Sequence, residues 1–316
     1  MNKQLKRRGR PSSSRRRNTS RNRKQTKALD PATLIQKKKN GETRAFKPAH
    51  QFQDIPLHGR LKANLAARGY ESPTEIQQSS LEPLLEGRDL VGVASTGTGK
   101  TAAFLIPLIE RLLTEKDFFT TLIVVPTREL ALQVEEEFNS LAKGTPFKSA
   151  CFIGGTNVDR DIQKLRHPNH FLIGTPGRLL DMADRGALRL DDISVLILDE
   201  FDRMLDMGFI QDIRKIVNGI GYREQTMLFS ATMDPSQKNL VGEIVNNPLV
   251  IKVSNGNEAS TNVDQHLIYV NEADNKYELL VEMISADTFE KVIIFAETKR
   301  LVDKLSKKLN RSGVNT

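Results

Sequence analysis

From about Phe52 onward, short apolar runs, many of them β-branched, alternate with segments whose apolar residues recur at helical spacing. This alternation restricts the fold more than any other feature of the chain. Residues 90–94, 121–125, 149–153, 171–174, 194–198 and 227–230 read as strands. Between them, residues such as Leu130, Val134, Phe138 and Leu141 fall on one helical face. Strands alternating with helices argue for an α/β fold, a parallel sheet covered by helices on both faces. No apolar run approaches the roughly 18 residues that a membrane-spanning helix requires.

Charge separates the N-terminus from the rest. Residues 1–50 carry 17 Lys/Arg against 2 Asp/Glu, whereas the remainder carries 30 against 37, so the net charge of +8 belongs to a tail and not to the fold. Runs such as Arg15-Arg16-Arg17 and Lys37-Lys38-Lys39, with few apolar residues among them, predict a disordered basic tail over residues 1–48. Such an arm is a solvated, solubilising segment, a polyelectrolyte that binds RNA by releasing counterions from phosphates, or, since it is Arg- and Ser-rich and acid-poor, a transit peptide, although only Leu5 offers an apolar face before Ala28. A first domain is expected over residues 49–255. A linker follows around Ser254-Asn255-Gly256-Asn257, and the start of a second domain over residues 262–316. Within that last part, residues 266–270 and 291–296 read as strands and residues 276–285 and 299–310 as helices. This is too little for an open α/β domain, and the second domain is expected to be incomplete. The single cysteine, Cys151, excludes an internal disulfide and a cysteine-based zinc site, and a reducing, cytoplasmic setting is the expectation.

Two segments carry the chemistry. Ala94-Ser95-Thr96-Gly97-Thr98-Gly99-Lys100-Thr101 lies between a strand and a helix and fits the phosphate-binding loop except at its first residue, where Ala replaces Gly. Gly97 and Gly99 let successive N–H groups point at phosphate oxygens. Lys100 is placed for the β- and γ-phosphates, and Thr101 for Mg²⁺. In Val195-Leu196-Ile197-Leu198-Asp199-Glu200 two carboxylates emerge at the C-terminal end of a buried strand, where open α/β sheets hold ligands. Asp199 is the candidate magnesium carboxylate and Glu200 the candidate for polarising an attacking water. Together the two segments indicate nucleotide hydrolysis or transfer.

Further segments, in order, resemble the DEAD-box RNA helicases, superfamily-two enzymes with two RecA-like domains. Gly69-Tyr70-Glu71-Ser72-Pro73-Thr74-Glu75-Ile76-Gln77 is similar to the family's Q motif, and Phe52 lies 17 residues before it. The resemblance implies that Gln77 reads adenine and Phe52 stacks on it, making ATP the nucleotide; the residues alone also permit a helix surface and a core ring. Pro126-Thr127-Arg128-Glu129-Leu130, Gly154-Gly155 and Thr175-Pro176-Gly177-Arg178 match segments with which the family grips the backbone of one RNA strand. Ser230-Ala231-Thr232 matches the segment that links hydrolysis to unwinding, and Ile293-Ile294-Phe295-Ala296-Glu297-Thr298 the first motif of the second domain. The implied cycle closes the two domains on ATP and RNA, bends one strand until a short duplex parts, and reopens after hydrolysis.

Two departures bear on that implication. Phe201 stands where the family usually has Ala, so the fit between Asp199-Glu200-Phe201-Asp202 and Ser230–Thr232 is in question. Arg178 and Arg203 are both candidates to pair with Asp202. After Thr298 the only arginines are Arg300 and Arg311, and neither sits in the arginine-rich motif that the family aims at ATP from its second domain. The polypeptide is therefore expected to bind nucleotide and RNA weakly without unwinding duplexes. A DNA-directed motor and a non-catalytic RNA-binding protein with a relic ATP site stay open as alternatives.

Overall fold

The computed structural model describes residues 46–115, 120–234, 237–253, 266–270, 275–285, 289 and 291–316. Of the expected tail over residues 1–48, residues 1–45 lie outside the described residues, as does the expected linker around Ser254-Asn255-Gly256-Asn257. The chain divides into two compact units, Met1–Glu258 and Ala259–Thr316.

The first unit is built on a seven-stranded sheet in the order β3-β4-β2-β5-β6-β1-β7, every pair parallel. The strands are β1 Leu90–Val93, β2 Thr121–Val124, β3 Ser149–Phe152, β4 Phe171–Gly174, β5 Val195–Leu198, β6 Gln225–Ser230 and β7 Leu249–Lys252. Six coincide with the sequence reading to within two residues at each end. The seventh, β7, was not anticipated.

Successive side chains of a strand point to opposite faces, and here they feed two separate cores. Leu90, Ile123, Ile173, Ile197, Met227 and Phe229 enter one, with helices α1 Gly59–Ala67, α2 Glu75–Leu85, α3 Lys100–Thr114 and α4 Arg128–Leu141. Val91, Leu122, Leu172, Leu196, Leu198 and Leu228 enter the other. There the cover comes from α6 Pro176–Asp184, α7 Phe201–Asp206, α8 Ile210–Gly219 and α9 Lys238–Ile244, with α5 Val158–Lys164 packing at its margin. Burial on both faces is why the central strands read as nearly continuous apolar runs.

A parallel sheet opens all its strand C-termini on one edge, and the candidate motifs are sorted along it. Adjacent β5, β6 and β1 end in the acidic pair, Ser230 and the glycine-rich loop. Adjacent β3, β4 and β2 end in Gly154-Gly155, Thr175–Arg178 and Pro126–Arg128.

In the second unit α10 Lys276–Ile284 and α11 Lys299–Arg311 form where helical spacing predicts them. The two strands expected there do not form among the described residues. A strand needs a hydrogen-bonding neighbour, and among the described residues, 266–270 and 291–296 pair with no strand. Ile293 and Phe295 are 81% and 90% exposed. Inside the unit, Leu309 is buried, the Tyr277 hydroxyl donates to the Lys308 carbonyl at 2.9 Å, and Lys308 Nζ lies 3.5 Å from the Tyr277 ring centre.

Candidate functional site

The glycine-rich loop turns sharply out of β1 because Gly97 and Gly99 take φ of +83° and +87°, a region that a Cβ disfavours. Gly99 caps the N-terminus of α3, so the first free N–H groups of a 15-residue helix face the loop. Lys100 is buried and folds back, its Nζ donating to the Ala94 carbonyl at 2.7 Å and the Ser95 carbonyl at 3.4 Å. Thr98 Oγ1 also donates to the Ser95 carbonyl, at 2.7 Å. Thr96 is exposed, and Thr101, the second residue of α3, is half-buried.

Asp199 leaves β5 only 2% exposed, with its Oδ1 accepting from the Glu200 amide at 2.9 Å. Burial pushes the Asp199 carboxyl up to about 6, against the opposing pull of the Lys100 ammonium. That interaction places lysine and acid in one electrostatic neighbourhood. Glu200 sits at φ +51° and ψ +50°, left-handed backbone that costs a non-glycine residue about 1–3 kcal/mol. The strained turn presents its carboxylate, which accepts from Arg203 Nη1 at 3.2 Å. Thr96, Lys100, Glu200, Asp202, Arg203 and Ala231 line a single cavity of about 190 Å³. The loop and the acids thus meet across the end of β6.

Asp202 ties the acidic turn to the next strand end. Its Oδ2 accepts from the Thr232 amide at 2.9 Å and from Thr232 Oγ1 at 3.0 Å, and its own amide donates to Ser230 Oγ at 3.3 Å. Ser230 Oγ donates to the Thr232 carbonyl at 2.6 Å. Phe201 does not disturb this fit: its ring is fully buried in the core that Leu198 and Leu228 share, leaving the backbone free to set Asp202. Neither candidate arginine pairs with Asp202. Arg203 bonds Glu200, three residues away on its own helix, and Arg178 bonds Asp161.

Gln77 and Phe52 lie differently from the expectation. The Gln77 amide is buried; its Oε1 accepts from the Thr74 amide at 2.9 Å and its Nε2 donates to the Gly99 carbonyl at 3.1 Å. It braces the glycine-rich loop. Phe52 is 1% exposed, edge-on to Tyr70 with ring centres 6.3 Å apart. Its ring offers no open face for stacking, because the apolar core gains more by enclosing it than solvent would allow.

Along the other strand ends, Thr127 caps α4 with its hydroxyl and accepts from the Leu130 amide at 3.2 Å; Pro126 is buried and Arg128 exposed. The Arg128 guanidinium lies over the double glycine. A methyl group on Gly154 would stand 3.1 Å from its Nη2, and one on Gly155 2.7 Å from its Nη1. Thr175 caps α6 with Pro176 in its first turn, and Gly177 is exposed. Arg178 is corrected from an outward RNA contact to an internal brace. Its guanidinium points to Asp161 and the Thr156 carbonyl, and its side chain is 8% exposed. Asp161 carries no sequence signal, because its partners are scattered from Thr156 to Arg178.

A larger depression of about 460 Å³ lies at the opposite ends of the strands, around Asp89, Tyr222 and Arg223. Its charges serve the backbone: Asp89 accepts from the Thr226 and Asn246 amides, and Arg223 donates to the Val217 and Ile244 carbonyls.

The raised Asp199 pKa has a testable sign. An acid with a raised folded pKa binds more protons folded than unfolded, so its contribution is lost as pH rises from 3.8 to about 6. In magnesium-free buffer Asp199→Asn is therefore expected to be more stable than the parent above pH 6, by on the order of 2–3 kcal/mol, and to converge with it near pH 4. Chemical denaturation across that range measures the difference; a variant equally stable at every pH contradicts the burial argument.

The family model described as DEAD/DEAH box helicase matches residues 74–240. The DEAD-box ATP-dependent RNA helicase CshA of Bacillus cereus is 37% identical over 262 residues, spanning 83% of this chain and 50% of the relative. The ATP-dependent RNA helicase CshA of Limosilactobacillus reuteri is 38% identical, over 84% of this chain and 53% of its own length. The chain thus spans about half the length of these curated relatives. The crystal structure of a DEAD box protein from the hyperthermophile Methanococcus jannaschii superposes with a TM-score of 0.60 at 36% identity, covering 83% of this chain and 70% of that one. The parallel sheet flanked by helices is accordingly a RecA-like domain. With its glycine-rich loop, acidic turn and serine-threonine strand end on three adjacent strands, the chain belongs to the DEAD/DEAH box helicase family.

Proposed function

We propose that this chain supplies the ATP-binding and RNA-gripping part of an ATP-dependent RNA helicase. The observation that carries the reading is the shared cavity, in which Lys100 and Thr96 of the loop face Glu200 and Asp202 of the acidic turn. The loop amides and the α3 N-terminus suit a triphosphate, and Lys100 exchanges the Ala94 and Ser95 carbonyls for β- and γ-phosphate oxygens.

The donors also fit magnesium. Asp199 and Thr101 offer hard oxygen ligands, while no group of three or more His, Cys, Asp or Glu able to hold a metal occurs among the described residues. Magnesium usually binds through one or two carboxylates together with substrate phosphates, and so arrives with the nucleotide. When bound, Mg²⁺ neutralises charge on the β- and γ-phosphates. Glu200 orients the attacking water and takes up its proton. Asp202, Ser230 and Thr232 transmit the state of the acidic turn to the next strand end. Gln77 holds the loop in shape for the nucleotide through its bond to the Gly99 carbonyl.

Gly154, Gly155, Thr127, Thr175 and Gly177 present backbone and hydroxyl groups that suit phosphate and ribose, so recognition is of backbone and not of sequence. The basic tail adds non-specific RNA affinity, and the protein works in the cytoplasm. In this reading unwinding requires the arginine-rich motif of a second RecA-like domain.

Glu200→Gln tests the catalytic assignment. It is expected to keep Mg·ATP affinity within about twofold while lowering RNA-stimulated phosphate release about 10²–10⁴-fold in a polypeptide of the relatives' full length. Turnover at the parental rate removes Glu200 from its role. Stimulation by DNA as strong as by RNA replaces the RNA reading with a DNA-directed motor.

A further inference from the structure

We infer that Asp161 is the positioning residue of the RNA-facing surface, locking the loop after β3 to the loop after β4 from beneath. The inference rests on the RNA reading proposed above. Asp161 is 1% exposed at the first turn of α5, outside every motif singled out in the sequence. Its Oδ2 accepts from Arg178 Nη2 at 2.7 Å, Arg178 Nε at 3.0 Å and Thr156 Oγ1 at 2.9 Å. Its Oδ1 lies 3.1 Å from Lys164 Nζ. Arg178 Nη2 goes on to the Thr156 carbonyl at 2.8 Å and Lys164 Nζ to the Cys151 carbonyl at 3.0 Å, while the Ile153 carbonyl, 2.8 Å from Thr156 Oγ1, is the alternative acceptor for that hydroxyl's one proton.

One carboxylate therefore fixes both ends of the Gly154–Thr156 turn and the first turn of α6, where Thr175 and Gly177 lie. On the outer side of the same turn the Arg128 guanidinium rests on Gly154 and Gly155. Groups that grip a phosphate chain without reading bases depend on being held in place before the ligand arrives, since each mobile group must otherwise be ordered on binding. Burial disfavours the charged carboxylate, but the bonds from Arg178, Lys164 and Thr156 outweigh it and hold Asp161 below its ordinary value.

The sign of the effect separates a brace from simple electrostatics. Removing a negative charge and releasing two cations beside an RNA surface strengthens binding if charge alone matters. A brace weakens it. The test uses the full 316-residue chain, parent and Asp161→Asn, crosslinked by light to a 4-thiouridine-containing oligouridylate and mapped by mass spectrometry. The basic tail serves as the internal reference, and Mg·ATP affinity is measured in parallel.

Crosslinking at residues 154–157 and 175–178 is expected to fall about tenfold, the cost of ordering one or two more groups. Tail crosslinks and Mg·ATP affinity stay within about twofold. Thr156→Val, which removes one exposed hydroxyl and leaves the ion pairs, is expected to give a smaller loss at the same segments, and Asp161→Glu to restore part of it. Unchanged or increased crosslinking of those segments in both Asp161→Asn and Thr156→Val overturns the brace. A parent chain that crosslinks only through its tail overturns the RNA-surface reading instead.

Discussion

Lys100→Ala is expected to weaken Mg·ATP binding about 10³-fold, beyond the range of ordinary titration calorimetry. An ammonium about 4 Å from a phosphate charge contributes about 4 kcal/mol at an effective dielectric of about 20, and each 1.4 kcal/mol or so is a factor of ten in affinity. Lys100 has no competing job once a triphosphate is present, because its present acceptors are the Ala94 and Ser95 carbonyls of the loop that would open. Its neighbours in the cavity, Glu200 and Asp202, repel phosphate, so the lysine also offsets their field. The fold does not depend on the substitution, since the apolar face of α3 buries Phe104, Leu105, Leu108 and Ile109 independently of it. Parental ATP affinity in a folded Lys100→Ala chain rejects the phosphate-loop assignment.

Asp161→Ala is expected to destabilise the first unit by about 3–5 kcal/mol, the usual cost of removing one partner from a buried ion pair. Arg178 is the side chain left nearly stranded: it is 8% exposed and keeps only weaker partners in the Thr156 carbonyl at 2.8 Å and Asp181 at 3.6 Å, whereas Lys164 is 46% exposed and can reach water. Domains of this kind are stable by about 5–15 kcal/mol, so the loss corresponds to a fall of about 10 °C in Tm. The lowered Asp161 pKa gives the same interaction a pH signature. Its stabilisation is present above the ordinary carboxylate range and is lost as the pH falls through the folded pKa, so parent and variant should converge in acid. A Tm within about 2 °C of the parent at neutral pH contradicts the stranded-arginine account.

The sheet was legible because its central strands are buried on both faces and so read as continuous apolar runs. The seventh strand was not, for the opposite reason. At the edge, Leu249 and Ile251 are half-buried while Val250 and Lys252 are exposed, and so short an alternation resembles a loop. The glycine-rich loop and the acidic turn that line the smaller cavity were legible because they lie in two contiguous stretches, each tied to a strand end. What lay between stretches was not. Burial of the Phe52 ring, the Gln77–Gly99 bond and the Asp202–Thr232 link depend on which elements the fold sets side by side. Arg178 is exposed by motif and enclosed by structure, because a buried carboxylate 17 residues earlier claims it. In the second unit, residues 291–296 have the composition of a strand, but composition does not supply the neighbouring strand a ladder needs.

The account turns on one pocket at the C-terminal ends of β5, β6 and β1, and a crystal structure with magnesium and a non-hydrolysable ATP analogue tests it most directly. The expected result places the β- and γ-phosphates over the Gly97–Lys100 amides, Lys100 Nζ within hydrogen-bonding distance of both, and the magnesium ion between Thr101 and Asp199. An analogue seated at the opposite ends of the strands, near Asp89 and Tyr222, or bound with Lys100 still closed on Ala94 and Ser95, contradicts it.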